Sequence, residues 1–328
     1  GACDDKGQLF MHVQAAESYL EAEGELPINL IFLIEGEEEV GSNHLPPFLE
    51  DHSDRLEADV VLISDTSMYA ENVPSITYSL RGLTYVEVEL TGPDRDLHSG
   101  LYGGAIENPI NVLSELIGSM HDEDHRITIP GFYEDARTLT PEERRVYEEL
   151  PFDAEAWMDE VGVEAVRTEK GYSILEATTA RPTLDVNGIW GGYQGEGAKT
   201  VLPSKAGAKI SMRLVPDQNP GDIAEKMRGY LEDRVPDTMQ LEFRELHGGY
   251  PVIMDRDHPA VQSTVDAMEA VLDKRPVLVR SGGTIPVVAE FKQKLGLETA
   301  MMGFGLHSDA IHSPNEHFGL DRFEKGID

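Results

Sequence analysis

INLIFLIEGEEEVGS, Ile28 to Ser42, is the stretch on which the reading of this chain turns. Its first part, Ile28 to Ile34, is short and apolar on both faces, as a central strand of a covered sheet would be. It runs directly into Glu35, Glu37, Glu38 and Glu39, and a turn signal, Gly41-Ser42, follows. Negative charge at the mouth of a buried strand has two readings: a solvated acidic loop, or metal ligands with a general base.

Working outward, GQLFMHVQAAESYLEAEG has apolar residues at helical spacing, with Gly24 as the stop. PPFLEDHSDRLE reads as helical, and ADVVLISD as a second apolar strand that ends in Asp65. Strand, helix and strand with carboxylates at the strand ends describe an α/β layer, which places its site beyond the carboxyl ends of the strands. Near Ser79 the texture changes. LTYVEVEL alternates, with Thr84, Val86, Val88 and Leu90 on one face, as a half-exposed antiparallel strand does. The helix NPINVLSELIGSMHD and a long polar insertion around PGFYEDARTLTPEERR follow. Strands AKISMRLVP and MQLEFREL then flank the helix PGDIAEKMRGYLEDRV. From about Gly249 the α/β texture returns, with HPAVQSTVDAMEAVLD helical and ETAMMGFG strand-like. The expected fold class is therefore α/β: a split domain over residues 1–79 and 249–328, with an α+β domain inserted over residues 80–248.

The 328 residues include 40% hydrophobic types, enough for a sizeable core. No apolar run approaches the ~20 residues of a membrane span, and the opening GACDDKGQLF is not a signal peptide. A single cysteine, Cys3, excludes an internal disulfide and suits a reducing cytoplasm. Lys and Arg number 27 against 61 Asp and Glu, a net charge of -34. Such a surface repels nucleic acid and anionic membranes and suits a high-salt cytoplasm. In so acidic a chain EGEEE alone does not choose between loop and ligands.

Other polar clusters sit at element edges: Asp4 and Asp5 in CDDKG, Asp65 in LISDT, and His307, Asp309, His312, Glu316 and His317 in HSDAIHSPNEH. Mixed carboxylate and imidazole groups suit zinc or manganese rather than calcium. In order along the chain, GACDDKG, EGEEEVGS, ISD, DLHSGLYGG, GAKTVLP, RLVP, GGTIP and AIHSPNE resemble the motifs of the co-catalytic metallopeptidases. That family (metallopeptidase family 20) includes aminoacylases, carboxypeptidases and dipeptidases, and the likeness is nearest to its cytosolic nonspecific dipeptidase and carnosinase branch.

The resemblance implies a phosphorylase/hydrolase-like mixed sheet with an inserted lid and dimerisation domain, and two divalent ions, zinc or manganese, per subunit. It makes Asp4 the bridging carboxylate, joined to Asp5 by a cis peptide bond. It makes Glu39 and His312 ligands of one ion, Asp65 a ligand of the other, and Glu38 the general base. Glu35 and Glu37 have no family role, so for them the solvated loop stands. His98 would stabilise the oxyanion in the partner subunit's site, which implies a homodimer through residues 80–248. Thr200 and Arg213 would bind the substrate's terminal carboxylate, with His247 and Thr284 as further contacts. The family also has a His ligand in an H-x-D segment upstream of DDKG, where this chain begins; HSD at His52 and His307 stands elsewhere. The chain also stops, at DRFEKGID, before the family's final helix. The expectation is thus a chain truncated at both ends and short of one ligand, holding one ion well and the other poorly, which leaves open whether it is active as it stands. The expected activity of the parent is hydrolysis of dipeptides or short peptides. The alternatives are an N-acyl amino-acid deacylase and a non-catalytic acidic metal-binding protein of the same fold.

Overall fold

Eleven strands follow one another as β1 (Val61–Ile63), β2 (Ser75–Leu80), β3 (Gly82–Thr91), β4 (Leu97–His98), β5 (Thr183–Gly191), β6 (Val201–Leu202), β7 (Lys205–Leu214), β8 (Gln240–Gly249), β9 (Val252–Ile253), β10 (Val277–Ser281) and β11 (Thr299–Met302). The computed structural model describes residues 1–328 as two units. The first comprises Gly1–Leu80, Val252–Ser281 and Ile285–Asp328, and the second Arg81–Pro251 and Gly282–Thr284. No helix is long and apolar enough to cross a membrane.

The first unit holds a mixed sheet in the order β1-β11-β2-β10, with β9 also on β2. β1 runs parallel to β11 and β10 parallel to β2, while β11 and β9 are antiparallel to β2. Its core joins Ile76, Leu80, Met301 and Phe304 to helix Pro259–Leu272, whose Val261, Val265 and Met268 recur at helical spacing. That helix starts where the His258 side chain accepts from Ala260 N, with Pro259 at the first helical position. Helix Gly7–Glu23 ends at Gly24, left-handed at φ 83°, where its N–H reaches Leu20 O at 2.9 Å.

The expected strand at Ile28 to Ile34 does not form, and the segment is irregular. Ile28 is 64% exposed, Phe32 47% and Ile34 61%; Leu33 alone packs, against Leu45, Leu49 and Phe291. A central strand needs backbone partners, and the sheet path ends at β1 with no strand beyond it. A run apolar throughout carries no alternation to separate a strand from any other extended segment.

In the second unit the alternation of β3 is obeyed residue by residue. Val86, Val88 and Leu90 point into a core with Ala206, Ala208, Ile210, Met212 and Leu214 of β7. Leu113 and Leu116 of helix Pro109–Gly118, and Ile223, Met227 and Leu231 of helix Pro220–Glu232, cover it. Each fully buried aliphatic there contributes roughly 1.5–3 kcal/mol. On the opposite face Glu87 meets Arg244 at 3.1 Å and Lys209 at 3.7 Å, half-exposed pairs worth about 0–1 kcal/mol each. Apolar burial therefore decides this unit. Its sheet is antiparallel throughout, in the order β5-β7-β3-β8, and β4 and β6 form a separate pair.

Candidate metal centre and substrate groups

Residues Ala2–Lys6 form a kinked turn that is non-helical at Asp4 (φ -118°, ψ 95°), and the Asp4–Asp5 peptide bond is cis. Glu316 Oε1 accepts from both Cys3 N and Asp4 N at 2.8 Å, which fixes this turn. Glu38 and Glu39 open a 3-10 turn, Glu38–Val40, closed by Gly41 at φ 95°. Asp65 lies two residues beyond β1, next to Ser64, whose hydroxyl pairs with His12 Nε2 at 2.8 Å. His312 adopts φ 57°, a left-handed conformation held by its surroundings. Just before it, Asp309 is 0% exposed and takes both ends of the Arg322 fork at 2.6 Å. Burial pushes the Asp309 carboxyl up, but Arg322 and Leu306 N–H outweigh it and hold it low.

These elements bring Asp4, Glu39 and His312 together. His312 Nε2 is 2.7 Å from Asp4 Oδ2 and 2.9 Å from Glu39 Oε1, and one ligand atom from each residue lies within 4.8 Å of the others. Asp65 borders this trio: burial, then the charges of Asp4 and Glu39, push its carboxyl up to about 6. Asp5 rises to about 7 through burial and the charges of Asp65 and Asp4, and its Oδ1 is buried without a hydrogen-bond partner. Glu38 is also raised, by burial first and then by Asp65, Glu39 and Asp4. Glu35 and Glu37 turn away from this group: Ser42 Oγ donates to Glu35 at 2.9 Å, and His44 Nδ1 meets Glu37 at 2.8 Å.

In the second unit the expected residues form separate groups. Arg213 Nη1 donates to Thr284 Oγ1 at 2.8 Å. His98 is exposed on β4, its Nδ1 accepting from Gly100 N at 2.9 Å, and Ser99 N binds Thr200 O at 3.1 Å, so His98 and Thr200 are neighbours. His247 on β8 stands opposite Tyr85 and meets its ring edge-on at 5.0 Å. Sequence reading gives no role to Glu316, His12, Arg322 or Arg81. Glu316 lies within a motif already singled out, whereas the other three carry no local signal.

The donor set fits divalent ions. Carboxylates that raise one another, an orphaned buried carboxylate oxygen and one imidazole make a group that a cation of oxygen and nitrogen preference relieves. Such a cluster, set partly past the ends of strands in a mixed α/β unit, is that of a metal-dependent hydrolase. The sequence profile of peptidase family M20/M25/M40 matches residues 1–328, and the chain belongs to this family. It is 33% identical over 332 residues to the Cys-Gly metallodipeptidase dug1 of Schizosaccharomyces pombe, covering 100% of this chain and 70% of that protein. It is 32% identical over 331 residues to the human Beta-Ala-His dipeptidase, covering 99% of this chain and 65% of that one. Among solved structures, an M20 family metallo-carboxypeptidase, Sso-CP2 from Sulfolobus solfataricus, superimposes with a TM-score of 0.87 at 32% identity, over 100% of this chain and 74% of that one. The chain thus spans about two thirds of the length of the two curated relatives.

Proposed function

We propose that this protein hydrolyses dipeptides that carry a free terminal carboxylate, using two divalent ions, zinc or manganese. The observation that carries the reading is the trio Asp4, Glu39 and His312 with a half-buried Glu38 of raised pKa beside it. Asp4 would bridge the ions, Glu39 and His312 would hold one, and Asp65 the other. When bound, the ions supply Lewis-acid chemistry, which polarises a carbonyl and acidifies water. Glu38, next in sequence to a ligand but not one itself, accepts the proton of the attacking water and delivers it to the leaving amine nitrogen. Glu316 keeps Asp4 in place through the two backbone N–H groups it accepts. Arg213, oriented by Thr284, binds the substrate carboxylate, for which a guanidinium fork is well shaped. His98 donates to the oxyanion of a partner subunit in a homodimer built through residues 80–248, and light scattering that finds only monomer removes that role. A cytoplasmic setting goes with Cys3, free and buried, its thiol pushed up to about 12 chiefly by burial and the Asp309 contact.

Two variants test the assignment. Glu38→Gln leaves metal content intact and lowers dipeptide turnover by roughly 10²–10⁴. Glu39→Gln instead lowers metal content, because an amide is a poorer ligand than a carboxylate. Wild-type turnover in the Glu38 variant rules out the base. Faster hydrolysis of N-acyl amino acids than of dipeptides reassigns the protein to deacylases.

A further inference from the structure

Three hydrogen bonds clip the turn Gly282–Thr284 to one residue, Arg81. Arg81 N donates to Gly283 O at 3.0 Å, Arg81 Nε donates to Gly282 O at 2.9 Å, and Thr284 Oγ1 donates to Arg81 O at 2.6 Å. The clip is tight: a Cβ on Gly282 would stand 2.3 Å from Thr178 O and 3.0 Å from Arg81 Nη2. A hydroxyl has a single proton, and that of Thr284 is committed to Arg81 O. Thr284 Oγ1 therefore only accepts from Arg213 Nη1, at 2.8 Å, and this bond orients the Arg213 fork while leaving its other N–H groups for a ligand.

The hydrogen bonds of both guanidiniums go to neutral oxygens: Gly282 O and Arg181 O for Arg81, and Thr284 Oγ1 for Arg213. In a chain with 61 acidic and 27 basic residues, adjacent arginines with neutral partners are a place kept for an incoming anion. Burial, then the Arg213 charge, pushes Arg81 down to about 10, with Asp185 opposing, so the two charges act on each other. We infer that Arg81 is a positioning residue: through its hold on the 282–284 turn it sets the Arg213 fork for a free carboxylate and makes the protein selective for substrates with an unblocked C-terminus. This rests on the reading of Arg213 as the carboxylate site.

The test is calorimetric binding of a dipeptide and of its C-terminal amide to the zinc-loaded protein, in a Glu38→Gln background where the probe is not consumed. Arg81→Met and Arg81→Lys are both expected to weaken dipeptide binding about tenfold or more, the worth of a well-aligned charge-assisted hydrogen bond, and to leave amide binding within about twofold. A merely structural loss would weaken both probes equally, and that outcome overturns the proposal. Wild-type preference in Arg81→Lys also overturns it, because lysine keeps the charge but not the Nε bond. Arg213→Met separates the two levels. If it leaves the carboxylate preference intact, the carboxylate reading fails and the inference falls with it. If it abolishes the preference while Arg81→Met does not, only the positioning role is lost. Should Arg81→Met not fold, Thr284→Val cuts the same link without a cavity; retained preference there counts against the proposal and lost preference for it.

Discussion

Asp5 and Asp65 are carboxyls whose neighbours work against their ionisation. Burial comes first, and like charge adds to it: Asp65 and Asp4 act on Asp5, and Asp4 and Glu39 act on Asp65. Both folded-state values, about 7 and about 6, lie above the ordinary 3.8. The folded state then holds these protons more tightly than the unfolded chain, so stability is lost as pH rises from the ordinary value through the folded ones. The metal-free protein should lose melting temperature between about pH 4 and pH 7. Added zinc or manganese should flatten that slope, and Asp65→Asn should reduce it without metal; an unchanged slope in the variant removes Asp65 from the cause. Asp309 is the opposite case, a buried carboxyl kept charged by Arg322. Arg322→Met strands that charge and should cost about 3–5 kcal/mol in urea unfolding, and it should also weaken metal retention by loosening the turn that carries His312.

At the scale of elements, close approach is as decisive as pattern. Just past β11, the chain passes the Asp65–Met68 segment so closely that a Cβ on Gly303 would stand 1.8 Å from Thr66 O. Ser67 and Gly305 continue this contact as a parallel bridge. Gly303→Ala must push the two segments apart, with a cost of roughly 1–3 kcal/mol or more and lower metal affinity through displaced Asp65; a wild-type unfolding midpoint would show that the approach is looser than described. Alternation made β3 legible, because period two along its length matches a sheet with one face covered. Helix Gly7–Glu23 was legible through its glycine stop. The run at Ile28 to Ile34 was misread for a definite reason: its composition suits a strand, but pairing is a property of neighbours the segment itself does not encode. β2, β5 and β10 escaped the sequence reading: VLVRS, although flanked by Pro276 and by Gly282-Gly283, carries no alternation that would mark a covered face.

For the whole molecule, charge dominates. With a net charge of -34 and a pI near 4.5, self-repulsion opposes the compact state at neutral pH. The Debye length shortens from about 10 Å at 0.1 M salt to about 3 Å at 1 M. Melting temperature should therefore climb as potassium chloride is raised from low to molar concentration, with most of the gain at the low end. A flat or falling profile would mean that the acidic surface is already neutralised by its own basic residues.

By itself the amino-acid sequence determined the α/β class, the antiparallel character of β3 and the acidic surface, and it supplied the residue types for a metal centre. These are local properties: periodicity, capping and composition are written in neighbouring residues. Tertiary structure alone decided that Ile28 to Ile34 stays unpaired, that Glu35 and Glu37 turn to Ser42 and His44, and that Glu316 grips the backbone beside Asp4. It also decided the crowding of Asp5 with Asp65 and the clip that joins Arg81 to Thr284 and Arg213. Each of these depends on ångström-scale distances between segments far apart in the chain, and electrostatic and hydrogen-bond energies change steeply over such distances.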